Sequence, residues 1–407
     1  MDSHEDINRF EKIVIEKYNK KNFQQYCPGI GINRKKIKLD SRYYHPLIGN
    51  INYNYVGFSK RKSQRLSSSS GGVITELICY ILENDIVQGV YLPMPTDITE
   101  EHHKYQICTK KNINEIRKFA QSIYVKIPAF GALSSIKKFH GKIAFVGLPD
   151  QISAMRVISK QENLNNKISY YFGPMVGILM EKTVIGAIKD ISNSKQKLEK
   201  IRWRHGEWPG KLYAKFIDDE INIDKFYYNY LLPFYCSNES LLQDDFSNEL
   251  SDISVGDAWL PEYEDIGRGW SLVQSKTYKG DKLLNDLNKS KKISLEKINI
   301  DKVLRMHEHM IDFKKRGSKY RKKILNLFFI PNPKDYNLKI KFNFTRYLIE
   351  IFILLIIFIC KTRISRYIVS KLNQKFLGFI FSRFRIFWKK ITKETKRKGL
   401  YDNIKSN

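Results

Sequence analysis

The chain has 407 residues, of which 71 are Lys or Arg and 42 are Asp or Glu, for a formal charge of +29. That length suffices for two or three packed units, and a hydrophobic fraction of 42% excludes a disordered chain, which lacks the apolar area to offset its ordering entropy. The most apolar run, Tyr347 to Cys360, contains Glu350 and falls short of the ~20 residues a span requires, so a polytopic membrane protein is excluded.

The first segment, 1–60, opens acidic and polar without a secretory signal pattern, and its one sharp feature is Cys27-Pro28-Gly29-Ile30-Gly31-Ile32-Asn33. A second segment, 61–160, begins with a serine run that meets Gly71-Gly72. Val73, Ile74, Leu77, Ile78, Ile81 and Leu82 follow, and their spacing predicts an amphipathic helix entered from a serine cap. Gly89 to Leu92 predicts a strand, 112–122 a helix, Lys142 to Gly147 a buried strand, Leu148 to Gln151 a turn and Ile152 to Lys160 a helix. In a third segment, 161–325, a strand over Ile168 to Phe172 and a helix near Ile178 to Ile191 complete an alternating α/β pattern. Trp203 to Lys211 then predicts a tight loop, Leu212 to Phe216 a strand, Gly267 to Val273 the approach to another, and Lys302 to Lys323 a basic helix. Pro331-Asn332-Pro333 marks a break before the last segment, 326–407. From residue 341 onward that tail holds 16 Lys or Arg and 3 Asp or Glu, a net +13, interleaved with Phe, Ile, Leu and Trp. Such a pattern suits either a helix lying in an anionic membrane surface or a helical hairpin packed on the body. Nucleic acid is disfavoured, because no zinc-finger or RNA-binding signature accompanies the charge.

The five cysteines, 27, 79, 108, 236 and 360, are scattered, which supports neither a disulfide framework nor a self-contained cysteine metal site. The expected compartment is the cytoplasm, and on the membrane reading of the tail the protein is peripheral at the inner face of the membrane. Among local motifs, Ser68 to Gly72 opens a helix whose free N–H groups favour an anion, although serine–glycine turns also cap helices with no ligand. Gly147 to Gln151 follows a strand, where ligands of open α/β sheets collect; equally, Asp150 would simply cap the helix. Asp252 and Asp257 could hold a metal, but a strand end is the commoner meaning. His205, in a Gly- and Trp-rich loop, is a candidate acid or base. His102-His103 and His307-x-His309 read as surface residues without a third ligand.

The order of these motifs is more specific than any one of them. A Ser-Ser-Gly-Gly helix start, a strand–Gly-x-Pro-x-Gln–helix turn, a Trp-Pro-Gly loop, Asp252-Ile253-Ser254-Val255-Gly256-Asp257-Ala258-Trp259 and a Gly-x-Gly-x-Ser segment occur in succession. Over roughly residues 20 to 320 this resembles the coenzyme F420 hydrogenase/dehydrogenase beta-subunit family. The resemblance implies a mixed α/β, flavin-binding-type core behind a degenerate ferredoxin-like N-terminal segment, with a basic helical C-terminal extension. It also implies FAD held near Ser69, Ser70, Gly71 and Gly72 and near Gly147, Pro149 and Gln151, with Asp257 and Ser271 closing the site. Family members usually carry an iron–sulfur cluster, and relatives occur in surface-polysaccharide synthesis.

The departures concern sulfur. Ile30 and Asn33 stand where the family's N-terminal pattern has cysteines, and Ser240-Leu241-Leu242-Gln243 stands where it has Cys-x-x-Cys. Leu148 and Asp150 replace the Thr and Cys of a Gly-Thr-Pro-Cys-Gln turn, and Phe172 falls where another cysteine is usual. A cubane cluster needs about four thiolates, so no cluster is expected. Two functions then remain. One is an FAD-dependent oxidoreductase without an electron relay, acting on a small-molecule or glycan-linked substrate, with Lys126, Arg202 and Arg204 as contacts for an acidic substrate. The other is a non-catalytic binding or assembly protein of glycan synthesis at the inner membrane surface.

Overall fold

The structure, a computed structural model, describes residues 27–96, 103–129, 133–192, 194–224, 229–264, 268–334, 336, 341–373, 375–383 and 386. His102 and the tail beyond 386 therefore lie outside the described residues, as do residues 1–26.

A short hairpin, β1 (Tyr43–His45) and β2 (Gly49–Ile51), leads into β3 (Tyr53–Ser59). Then follow β4 (Gly89–Pro95), β5 (His103–Cys108), β6 (Ile143–Val146) and β7 (Ile168–Pro174). Strands β8 (Leu198–His205), β9 (Lys211–Phe216) and β10 (Glu220–Asp224) form a separate antiparallel meander, and β11 (Ile253–Asp257), β12 (Ser271–Ser275) and β13 (Ile293–Ile298) return to the main sheet. That sheet has eight strands in the order β13-β3-β12-β11-β7-β6-β4-β5. Its four inner strands β11, β7, β6 and β4 run parallel and its flanks antiparallel, so the fold is a mixed α/β sheet. Strands from the first three sequence segments share it. The β6 run Ile-Ala-Phe-Val is apolar throughout because both faces are covered.

Helix α1 (Val73–Glu83) packs Val73, Leu77, Ile81 and Leu82 on one face of the sheet. It is entered from Gly72, whose φ of +79° suits glycine, and no serine side chain caps it, contrary to the expected serine cap. Ser68 is turned away, its hydroxyl donating to the Gln64 carbonyl. Helix α2 (Pro149–Gln161) covers the other face through Ile152, Met155 and Ile158. The helix expected from 178 begins only at Val184, because Met180 is drawn into bridges with Val125 and Cys236.

The expected basic helix is two helices, α3 (Ile300–Asp312) and α4 (Ser318–Leu327), joined by a π-helical turn, Phe313–Gly317. Many of its charges are interior. Lys314, Lys315, Arg316, Lys319, Arg321 and Lys322 are all buried. The tail contributes to this burial: helix α5 (Phe344–Cys360), followed by α6 (Arg363–Lys371), lies against α4. Arg321 reaches Glu350 at 2.5 Å, Glu350 also holds Arg346 at 2.6 Å, and Arg346 binds Asp312 at 2.6 Å. Arg316 adds a second link to Asp312 at 2.8 Å. Farther along, Lys361 and Arg366 share Glu181, and Val369 and Leu377 enter the core of the β8–β10 meander. The described part of the tail is thus packed on the body.

A buried charge stripped of its partner is expected to destabilise by about 3–5 kcal/mol. Glu350→Gln, which leaves Arg321 and Arg346 without their shared carboxylate, should lower the unfolding free energy measured by urea titration by that order, whereas Lys126→Gln, at an exposed pair with Glu239, should leave it within about 0.5 kcal/mol.

Candidate functional site

The site is set by strand register. Gly57 of β3 faces Ser271 of β12, and Ser271 faces Asp257 of β11. The serine–glycine corner folds onto this row. Gly71 N–H donates to Ser271 Oγ at 2.9 Å, and a Cβ on Gly71 would lie 2.4 Å from the Gly57 carbonyl oxygen. The Ser70 hydroxyl sits 2.8 Å from Ser271 Oγ and 3.1 Å from the Trp270 carbonyl. Ser69 Oγ accepts the Ser122 N–H at 3.1 Å. These serines tie backbone segments together, and the corner is close-packed before any ligand is considered.

The parallel strands β4, β6, β7 and β11 end beside this row, and a cavity of about 1080 Å³ opens at their carboxyl ends. Ser69, Ser70, Gly72, Gly147, Gln151, Asp257 and Ser271 line it; of the residues expected around FAD, Gly71 and Pro149 stand behind the wall. The first turn of α1, Val73 to Thr75, also faces it. The remaining walls are largely apolar, and Ile353, Ile356 and Ile357 of α5 close one side.

Several polar groups at the wall are locked. Gln151 Oε1 accepts from Leu148 N–H at 2.9 Å and from the Tyr105 hydroxyl at 2.8 Å, while its amide donates to the Ile127 carbonyl at 2.8 Å. Gln151 therefore braces the turn from the third helical position, and Leu148, the residue before the helix, offers its N–H rather than a capping side chain. Asp257 receives Arg204 bidentately at 2.7 and 3.0 Å and the Trp208 indole N–H at 3.3 Å. The Arg204 side chain is only 2% exposed. Contrary to the expectation of a substrate contact, its guanidinium is committed to Asp257 and the Pro209 carbonyl. Likewise Arg202 donates to the Lys118 and Ala120 carbonyls, and Lys126 pairs with Glu239. Asp252 and Asp257 stand at opposite ends of β11, five residue steps and roughly 16 Å apart. Asp252 is buried under Tyr171 N–H and the Thr277 hydroxyl, so the two carboxylates cannot share a metal.

Three cavity residues, His307, His309 and Gln121, went unrecognised in the sequence. His307, expected at the surface, is buried, and its Nε2 lies 2.8 Å from the Asp257 carbonyl. Its place between Val303 and Ile311 on the apolar face of α3 was the available signal. Gln121 lines the cavity with both amide atoms, Oε1 and Nε2, buried and without a hydrogen-bond partner in the protein. It sits in an extended stretch after α-helical residues 113–119, where nothing in the sequence marks it. By contrast His205 is exposed and stacks on Tyr213, 4.6 Å between ring centres, outside the cavity lining.

Residues 54–134 match the family model for the coenzyme F420 hydrogenase/dehydrogenase beta subunit N-terminus, and residues 140–301 the model for its C-terminus. The chain belongs to this beta-subunit family. In three dimensions the family member is similar to a chain of the F420-reducing NiFe hydrogenase complex from Methanosarcina barkeri. The two are 17% identical with a TM-score of 0.56, over 72% of this chain and 99% of that one. At that identity the likeness is one of fold. No curated protein matches the chain in sequence.

The iron–sulfur cluster that the family resemblance implies does not fit the donor set. Among the described residues no three His, Cys, Asp or Glu side chains converge to hold a metal. Cys236 is buried, and burial pushes its thiol up to about 11. The two cysteine-poor family segments are joined by charge instead. Arg34, next to Asn33, binds Asp244, next to Gln243, at 2.8 Å, and Glu249 takes both Arg34 and Lys315. Lys314 donates to the Ser240 carbonyl at 2.7 Å, and nearby Lys276 donates to the Ile48 carbonyl at 2.7 Å. Burial lowers Lys276 and Lys314 to about 7 and Lys315 to about 8.

These lysines bind protons less readily folded than unfolded, where an ammonium titrates near 10.4, so stability should climb as pH rises between about 7 and 10, and the penalty is full below 7. Lys276→Met should flatten that climb, measured as the urea midpoint at successive pH values; equal slopes for the two proteins would contradict it.

Proposed function

We propose that the chain is an FAD-dependent oxidoreductase that moves a hydride without an iron–sulfur relay. The observation that carries this reading is the convergence of the serine–glycine corner, the Gly147–Gln151 turn, Asp257 and Ser271 on one cavity at the carboxyl ends of the parallel strands. Its volume lies at the upper end of ligand sites, which run to ~1,000 Å³. The first turn of the eleven-residue helix α1 lines the cavity, and a helix N-terminus is a favourable end for the diphosphate of a dinucleotide. Gln121 presents an acceptor and a donor that lack protein partners, which complements the alternating carbonyl and N–H edge of a flavin ring. FAD, when bound, supplies a two-electron centre that passes hydride directly to or from a stacked substrate.

The chain's own residues have three tasks. Arg204 neutralises Asp257, so the wall beside Ser271 presents no free carboxylate to an anionic cofactor. His307 fixes the Asp257 backbone from α3. The isoleucines of α5 exclude water from the apolar side, which strengthens the few polar contacts inside. A small-molecule or glycan-linked substrate and a setting in surface-polysaccharide synthesis are proposed from the family resemblance alone.

Purified protein should show the visible absorption of oxidised flavin or take up added FAD. Gln121→Leu should weaken that uptake about tenfold, the scale of one or two lost hydrogen bonds. Protein that stays colourless and takes up no FAD would overturn the reading in favour of a non-catalytic assembly protein. Iron at stoichiometric level in the purified protein would overturn the relay-free form of it.

A further inference from the structure

Helix α5 has two faces of different character. Arg346, Glu350, Ile353 and Ile357 lie on the inner one, in the ion network or at the cavity wall. Phe344, Leu348, Phe352, Leu355 and Ile359 recur at the spacing of a single helical face, and all are exposed. Phe358, beside them, is 74% exposed. The patch continues onto α6 through Ile364, Tyr367 and Ile368. So many large apolar side chains on one surface mark an interaction site.

Charge selects the occupant. Lys341, Arg363, Lys371, Lys375 and Arg383 are exposed around the patch. Glu350 is the single acidic residue between 341 and 386, and it is buried. A second copy would bring two such cationic faces together, a repulsive arrangement, whereas an anionic lipid surface attracts each Lys or Arg by ~1 kcal/mol. Spanning is ruled out for α5 itself. Its 17 residues reach about 26 Å, less than the ~30 Å hydrocarbon layer, and two of them are charged and locked in protein.

We infer that the outer face of α5 and α6 docks in the plane of an anionic membrane surface. The apolar row enters the boundary between headgroups and chains while the flanking basic residues meet the headgroups. The docked helix is the one that closes the cavity, so the cavity lies directly behind the lipid-facing surface. This inference rests on the tail alone and stands whether or not the cavity holds FAD.

The test is co-sedimentation of the full chain with phosphatidylcholine vesicles with and without phosphatidylglycerol, using wild type and the Phe352→Ser/Phe358→Ser variant. Both positions are exposed, and matching melting curves establish that the variant is folded. Binding is expected only where phosphatidylglycerol is present, with weakening in high salt, and the variant should bind about tenfold less well. Equal binding by the two proteins, or equal binding to neutral vesicles, would overturn the proposal. So would a wild-type dimer in size-exclusion chromatography that ignores vesicles and becomes monomeric in the variant, since the face would then belong to a second copy.

Discussion

Two carboxylate–guanidinium contacts, Arg321–Glu350 and Arg346–Asp312, hold the tail to the body, and Arg316–Asp312 and Arg346–Glu350 brace them from either side. Charges withdrawn from water are tolerable only when each is answered by another. The pairing is therefore strict about geometry. Glu350 must face inward to meet Arg321 and Arg346, which settles the rotation of α5 about its own axis. Once that rotation is set, Ile353 and Ile357 fall at the cavity and Phe352 and Phe358 fall outside. The cavity wall and the exposed apolar face are both consequences of one buried acid.

The site itself depends on a second constraint, the close approach of backbones. β3, β12 and β11 lie in register, and the glycine after Ser70 allows the next chain segment to settle on that row. Gly269 is pressed in the same way against the Ser70 carbonyl. Side chains at either place would meet main chain, which cannot move aside. The hydroxyls of Ser70 and Ser271 then bond to each other and to carbonyls, so a polar corner is built and rigid in the folded protein.

Much of this was legible in the sequence because it follows short-range rules. The apolar spacing of Val73 to Leu82, the buried run of β6 and the strand-to-helix turn at Pro149 all appear where periodicity places them. The motif order also carried the family and the grouping of the site's glycines and serines. What was not legible is long-range pairing. Arg204 has a charged side chain in a polar loop, and only the fold reveals that Asp257 consumes it. The lysines of 314–322 read as a solvated helix face until the fold buries them, Lys314 on the Ser240 carbonyl and Lys315 on Glu249. Glu350 was the clue available: an acid inside fourteen apolar residues has to be either exposed or paired, and pairing implies a buried cation elsewhere in the chain. Gln121 carried no clue, since unsatisfied amide groups arise from what surrounds them.

The two-sided character of α5 ties inside to outside. Any occupant of the cavity that presses on Ile353 or Ile357 moves a helix whose far side bears Phe352 and Phe358. Binding free energies linked through one rigid body are reciprocal. A molecule that prefers one tilt of this helix therefore alters the helix's affinity for whatever lies beyond it by the same factor that the outer neighbour alters the molecule's own.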